Sequence, residues 1–440
     1  MPAGMTDLLA PLCKLLGISE GCSRQQLRAD LIAGLTTAVM LVPQGMAYAM
    51  LAGLPPIVGL YASLLPLIVY AFLGTSRQLA VGPVAMDSLL VASGVGAIAE
   101  GGSEAYIAYA ALLAILAGGI QLALGLMRAG FVVELLTRPV ISGFTSAAAL
   151  IIGFSQLGPL LGVKLERSQQ LQVILVDALG HLQAIDGLTL AVGLGAIAAL
   201  LALKLATPDA PRALIVVVVG SLAVLAFDWL GLEHAVATVG EVPAGLPGFA
   251  WPRPAGMGGA LETLTKLAPT ALAIALIGFM EAYSVADNVA RQQDYGVDAN
   301  RELVALGAAN VATGLFSGYP VTGGFSRTAV NAQAGAQTRL AGLITAAVVG
   351  ATLLVLTPLF GPLPKAVLAA IIMVAVFGLI DLREPARLWK SGRAGRWQLA
   401  VLAVSFLVTL TQGIQLGIVV GVLAAQVVDR LRLGGAPEAE

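Results

Sequence analysis

The chain is poor in charge. Only 11% of its 440 residues are Asp, Glu, Lys or Arg, against about 25% in a soluble globular protein, so it cannot clothe a water-facing surface. The charge that exists nearly cancels, at a formal net of −1, which removes the basic field that nucleic-acid binding needs. Cysteine is as scarce: Cys13 and Cys22 are the only two, both ahead of the first apolar run. Two thiols make neither a disulfide framework nor a metal site, and both are read as plain thiols. The two histidines, His181 and His234, fall in loops and are read as residues without chemistry. No HExxH, GxSxG, Cys/His cluster or P-loop occurs, so the sequence sets an enzyme aside and calls for no metal and no cofactor. A signal peptide is missing too. The opening MPAGMTDLLAPLCKLLG carries Asp7, Pro11 and a late Lys14 in place of a basic region before a long apolar core. The first apolar run is therefore retained as a span.

What the chain does have is apolar length. Hydrophobic residues fill 58% of it, and runs near the ~20 residues that cross a bilayer recur throughout. They lie near 31–51, 57–73, 106–126, 140–160, 187–205, 213–230, 267–286, 340–357, 366–382, 397–411 and 414–428. Shorter or interrupted runs lie at 84–99, 303–316 and 325–335. The reading is an all-α integral membrane protein in the lipid bilayer with about fourteen transmembrane segments. A cytoplasmic N-terminal segment (1–29) precedes the transmembrane domain (30–432), and a cytoplasmic tail (433–440) follows it. Basic residues set the orientation. Lys14, Arg24 and Arg28 precede the first span, and Arg128 and Arg138 flank a later loop, as do Lys204 and Arg212, and Arg291 and Arg301. Arg383, Arg387, Lys390, Arg393 and Arg396 cluster after the twelfth, and Arg430 and Arg432 close the chain. With an even count all these fall on one side, which puts both termini in the cytoplasm and 161–186 and 231–262 outside. The membrane expected is the inner (plasma) membrane.

Two of the short spans are broken in the same way. SRQLAVGPVAMDSLLVASG (Ser76–Gly94) opens extended, meets Gly82-Pro83 and only then reads as helix. GYPVTGGFSRTAVNAQAGAQT (Gly318–Thr338) places Gly318, Pro320, Gly323 and Gly324 before the helical SRTAVNAQA. Pro83 and Pro320 lie a little over half the chain apart. Gly/Pro-interrupted segments at corresponding positions of two halves point to a transporter binding site. Irregular backbone in a membrane is tolerated only when it is buried in protein or lines a wet cavity. Each half-helix starting there aims free N–H groups and a positive dipole end at the gap, and two such ends make an anion site. Pro83 suits a first helical position and Ser326 an N-cap. Arg327 adds a full positive charge; its glycine surroundings suit a crossover better than the end of a loop, where it would merely snorkel.

These residues also carry a resemblance. DLIAGLTTAVMLVPQGMAYAMLAGLPPIVGLYASLLP, LAVGPVAMDSLL, NRELVALGAANVATGLFSGYPVTGGFSRTAVNAQAGAQTRLAG and LPKAVLAAIIM resemble the sulfate-permease (SulP) family of anion transporters, from about Asp30 to Arg430. The resemblance implies two inverted repeats of seven segments and two half-helices preceded by short extended strands. It also implies a core domain (about 30–130 and 262–358) that moves as an elevator against a gate domain (about 131–261 and 359–432). Carried over by motif, PQGMAY gives Gln44 and Tyr48, GPVA gives Val84 and Ala85, and GFSR gives Phe325, Ser326 and Arg327 as substrate-binding residues. Gln44 and Tyr48, four apart on one helix face, also admit a plain helix-packing reading. GFMEAYS places Glu281 where relatives resemble it with an acidic residue linked to coupling by a proton (or sodium ion). A carboxylate in a membrane is a functional hypothesis by default, although Glu281 also suits a structural partner for Arg327 or a backbone N–H.

Two departures from the pattern matter. Asp87 stands where an apolar residue is expected. Its first reading is a cap on the N–H groups of its half-helix; the others are a second coupling carboxylate or a brake on the site's positive potential. The family usually continues into a sulfate-transporter/anti-sigma-antagonist domain, whereas this sequence stops at LRLGGAPEAE. The leading expectation is a secondary-active transporter, a proton symporter of a small inorganic or dicarboxylate anion. The alternatives are a passive anion channel or exchanger on the same fold and, less favoured beside Arg327, a nucleobase permease. Oligomeric state is left open, with a homodimer among the choices.

The basic clusters generate a first prediction. A cysteine probe placed at His234 is expected to react with a membrane-impermeant reagent added outside cells, and one at Arg393 to stay protected. The reverse pattern would end the inverted-repeat assignment.

Overall fold

The computed structural model describes residues 23–131, 137–166, 168, 170–207, 211–231, 234–253 and 260–431. Lys14, Cys13, Cys22, Arg432 and the tail 433–440 lie outside the described residues. The elements, in chain order, are α1 (Arg24–Leu51), α2 (Pro56–Leu73), β1 (Val81–Gly82), α3 (Ala85–Gly96), α4 (Glu104–Leu126), α5 (Arg138–Ser155), α6 (Leu157–Leu161), α7 (Leu171–Gly180), α8 (Gly187–Ala206) and α9 (Arg212–Trp229). Then come α10 (Ala260–Gln292), α11 (Ala299–Leu315), β2 (Thr322–Gly323), α12 (Phe325–Gln333), α13 (Leu340–Ala351), α14 (Lys365–Phe377), α15 (Arg383–Lys390), α16 (Gly392–Gln412) and α17 (Ile414–Arg430).

Among the described residues, nine helices are long and apolar enough to cross a membrane: α1, α2, α4, α5 continued through α6, α8, α9, α10, α13 with its extension to Phe360, and α16. The remaining apolar stretches expected to cross form shorter helices, α3, α11, α12, α14 and α17. Several boundaries differ from the sequence reading. The first helix starts at Arg24, because Ser23 and Gln26 close a reciprocal capping box: the Ser23 hydroxyl accepts from the Gln26 N–H (3.1 Å) and Gln26 Oε1 accepts from the Ser23 N–H (3.0 Å). Arg24 and Arg28 therefore ride on its first turns. The run 366–382 ends as a helix at Phe377, and the basic residues that follow fold into α15. Past Ala351, Pro358 has no N–H to close the α-helical ladder, and the chain loosens into a π turn (Thr352–Leu356) and a 3-10 turn (Thr357–Phe360).

The chain divides into two compact units. One comprises the residues up to Gly130, Leu203–Leu230 and Thr238–Pro364. Its helices approach closely through small residues, as membrane helices do without a hydrophobic drive between them. At the α1–α2 crossing, a Cβ added to Gly59 would stand 2.0 Å from the Gly45 carbonyl oxygen. In this unit β1 pairs antiparallel with β2 in the register Val81↔Gly323 and Gly82↔Thr322. The other unit comprises Phe131–Ala202, Gly231–Ala237 and the residues from Lys365. There α5 packs on α14, α16 and α17, and the buried Ser405 hydroxyl donates to the Gly417 carbonyl at 3.2 Å. The structure places His181 directly after α7, where its Nδ1 meets the Asp177 carbonyl of its own helix at 2.9 Å.

Gly59→Val is expected to lower the thermal unfolding midpoint, because a branched side chain must push back a backbone carbonyl. The penalty is expected to exceed the ~1–3 kcal/mol of ordinary overpacking. Size-exclusion elution and unfolding of the purified protein check this; an unchanged midpoint would show that the crossing has room.

Candidate functional site

The site grows from the two broken segments. Antiparallel pairing of β1 with β2 keeps both chains extended until Val84 and Gly324, which are the N-caps of α3 and α12. Two sequence-level expectations are corrected here. Pro83 is not the first helical residue: it precedes the N-cap, and helix begins at Ala85. Ser326 is not an N-cap: Gly324 holds that place, and Ser326 lies inside the first turn. The cause is the same in both, since strand pairing across the break outweighs a local capping preference. No side chain caps either helix, and the first N–H groups of a helix have no acceptor within it. Two positive helix ends are thus left open within one unit.

Arg327 joins the two breaks. It is 1% exposed, so it does not snorkel. Its Nη1 donates to the Pro83 carbonyl (2.7 Å) and to Gln44 Oε1 (3.2 Å), and Nη2 lies 3.5 Å from the Ala80 carbonyl. Its Nε has no partner. Gln44 in turn donates to the Tyr48 hydroxyl (2.9 Å) and reaches Ser326 Oγ at 3.5 Å. Both α1 residues are buried, so the spacing of four does bring them onto one face. Val84 and Ala85 are buried at the start of α3, while Phe325 and Ser326 are exposed at the start of α12.

The two acidic residues stand apart from this network. Glu281, on α10, makes no ion pair with Arg327 and leaves Oε2 buried without a donor, so the structural-partner reading finds no bond to rest on. Asp87 corrects the capping expectation. Neither of its oxygens has a hydrogen-bond partner, and it is fully buried. Its Oδ2 lies against Gly278 of α10, where an added Cβ would stand 3.4 Å away; the side chain turns sideways onto that helix and away from its own N–H groups.

Sequence reading did not single out the groups that brace the breaks. Asn310 of α11 pairs with both backbone groups of Val321, accepting at Oδ1 (2.8 Å) and donating from Nδ2 (2.9 Å). Thr328 Oγ1 accepts the Ala80 N–H (3.1 Å), and Asn331 donates to the Gln78 carbonyl (2.9 Å). Thr322 donates to the Gly278 carbonyl (2.5 Å). Asn310, an amide within the apolar stretch after Glu302 of α11, was the available signal.

Many apolar helices, with two spans that restart as half-helices inside the bundle, define a multi-pass membrane protein of transporter type and not an enzyme. A model of the Sulfate permease family matches residues 27–404, and the chain belongs to that family. It is 40% identical over 403 residues to Sulfate transporter 4.1, chloroplastic, of Arabidopsis thaliana, covering 90% of this chain and 57% of that one. It is 38% identical over 454 residues to the sodium-independent sulfate anion transporter of Bos taurus, covering 96% and 72%. The chain spans less than two thirds of the plant relative's length. Among solved structures, that of SLC26A9 superposes with a TM-score of 0.86 at 28% identity, covering 98% of this chain and 70% of that one. The transmembrane domain of a cyanobacterium bicarbonate transporter, BicA, superposes with a TM-score of 0.75 at 25% identity, covering 92% and 98%.

Arg327→Ala is expected to weaken anion binding roughly ten- to a hundredfold, since a charge-assisted hydrogen bond contributes about 1.5–3 kcal/mol. Ser326→Ala is expected to lose less. Equilibrium binding to the purified protein checks both; unchanged affinity in a folded Arg327→Ala protein would leave the arginine a brace for Pro83 alone.

Proposed function

We propose that the chain is a secondary-active anion transporter that takes up a small oxyanion together with protons. The observation that carries this reading is the pair of uncapped half-helix starts, Val84–Ala85 and Gly324–Phe325, with the buried Arg327 cation beside them and no carboxylate paired to it. Such a place attracts a compact anion by two dipole ends and one full charge. Gln44, Tyr48 and Ser326 supply hydrogen-bonding groups around it. The names of the relatives, sulfate transporters and a bicarbonate transporter, agree with an oxyanion of this size.

In this reading the fourteen segments form two inverted repeats of seven, supported by the matched strand–half-helix elements that meet head-on through β1 and β2. The core (about 30–130 and 262–358) carries the anion as an elevator past the gate (about 131–261 and 359–432), in the plasma membrane with both termini in the cytoplasm. Glu281 takes the coupling proton: a half-buried carboxylate with no donor on its buried Oε2 is relieved by protonation, and its neutral form leaves Arg327 to the anion.

Flux of labelled sulfate into proteoliposomes, with and without an inward proton gradient, tests the reading. The wild-type protein is expected to show several-fold stimulation by the gradient. Glu281→Gln is expected to bind sulfate and lose the share of that stimulation that its own proton carries. Wild-type-like stimulation in the variant would remove Glu281 from coupling, and gradient-independent flux in the wild type would favour a passive channel.

A further inference from the structure

The interior carboxylates of the first unit are of two kinds. Asp30 accepts the N–H groups of Gln337 (2.7 Å) and Thr338 (3.0 Å) and the Thr338 hydroxyl (2.5 Å). Glu302 accepts the Tyr70 hydroxyl (2.6 Å), the Thr75 N–H and hydroxyl (2.6 Å each) and the Ser76 N–H (3.3 Å). Both have donors on their oxygens and tie helices to turns. Asp87 has no donor on either oxygen, and Glu281 has none on Oε2. Asp87 abuts Gly278, which lies one turn before Glu281 on the same face of α10, and Glu281 acts on it electrostatically. Thr322, at the same corner, has its hydroxyl proton committed to the Gly278 carbonyl. Asp87 also occupies the third helical position of α3, as Arg327 does in α12.

We propose that Asp87 is a second proton-bearing carboxyl of the transport site, paired with Glu281, so that a divalent oxyanion crosses with two protons. The proposal rests on the transporter reading above and deepens it. Around Asp87 stand Glu281 from α10 and Tyr319 from the turn before β2, whose hydroxyl meets Ser88 Oγ at 3.1 Å; Arg327 and Tyr48 act on that tyrosine in turn. Neither α1 beyond Asp30 nor α4 beyond Glu104 carries a charged residue. The fixed charges are therefore one cation and two carboxyls. Empty and unprotonated, the site carries one net negative charge. Two protons make it one positive charge, and a divalent oxyanion returns it to one negative. Loaded and empty carriers then move with equal charge, and the cycle is electroneutral. If Asp87 stayed neutral and Glu281 alone titrated, the empty site would be neutral and the loaded one negative, and every turnover would carry negative charge inward.

The test is sulfate uptake by proteoliposomes under an imposed proton gradient, with membrane potential clamped by potassium and valinomycin. The wild type is expected to take up two protons per sulfate and to be indifferent to potential. Asp87→Asn is expected to take up one proton per sulfate and to be accelerated several-fold by an inside-positive potential. A wild-type ratio of one, or an Asp87→Asn protein that keeps the wild-type ratio and indifference, overturns the proposal. Infrared difference spectra of the purified protein across pH read the carboxyls without turnover. The protonated-carboxyl band is expected to lose one component in Asp87→Asn and another in Glu281→Gln; a band unchanged in Asp87→Asn also overturns the proposal. Absence of gradient-driven uptake in the wild type would strike the transporter reading instead, and the infrared band would still decide the state of Asp87.

Discussion

The structure turns on one constraint: a backbone that leaves the helix inside a membrane protein must find partners for every polar group it frees. At the two breaks those partners can be counted. The strands take each other's groups in the Val81↔Gly323 and Gly82↔Thr322 register. Gly324 donates to the Ala80 carbonyl at 3.2 Å, and Thr328 accepts the Ala80 N–H. Asn310 takes both groups of Val321, and Arg327 takes the Pro83 carbonyl. What no side chain caps is the set of N–H groups at the starts of α3 and α12. The proposed binding site thus coincides with the helix starts that no side chain caps, beside the Arg327 cation.

Arg327 links this account to the chemistry. A guanidinium presents donors in a rigid fork, so it can hold the Pro83 turn and Gln44 together and keep Nε uncommitted. A lysine ammonium could donate to both acceptors, as Nη1 does, but would have no second nitrogen left uncommitted. The same residue therefore fixes the distance between the two half-helix starts and supplies the charge beside them. Its structural role and its proposed one are compatible, because a buried cation held by neutral acceptors keeps its field.

The breaks were legible in the sequence because Gly82-Pro83, Gly323-Gly324 and Arg327 each violate an apolar pattern. The family motifs named the residues around them. The finer placement was not legible. Pro83 and Ser326 carry strong local preferences for helix starts, and both were displaced by strand pairing between segments distant in the chain. Asn310 and Thr328 were passed over because their partners are backbone groups, which leave no trace in a side-chain pattern. The four acidic residues look alike in sequence. Asp30 and Glu302 differ from Asp87 and Glu281 only in the number of donors that folding brings to them, and no spacing rule counts donors.

Under the proposal that Asp87 bears a transported proton, its position has a consequence for coupling. A carboxylate in the first turn of a helix is stabilised by the dipole end it sits on, so in the ionised state it supplies to α3 the negative charge that a bound anion supplies. Ionised Asp87 and substrate therefore compete for the same field. Protonation withdraws the internal competitor and leaves the end of α3 to the substrate, while the bound oxyanion makes loss of that proton less favourable. In that proposal proton and anion raise each other's affinity by the same factor, as linkage requires. On the opposite half-helix Arg327 makes the complementary arrangement, a cation where the dipole alone would repel it, held there by the Pro83 carbonyl and Gln44. Opposite charges thus stand at equivalent positions of two helix starts; in the proposed cycle one side holds the anion's field constant, and the other switches it with a proton.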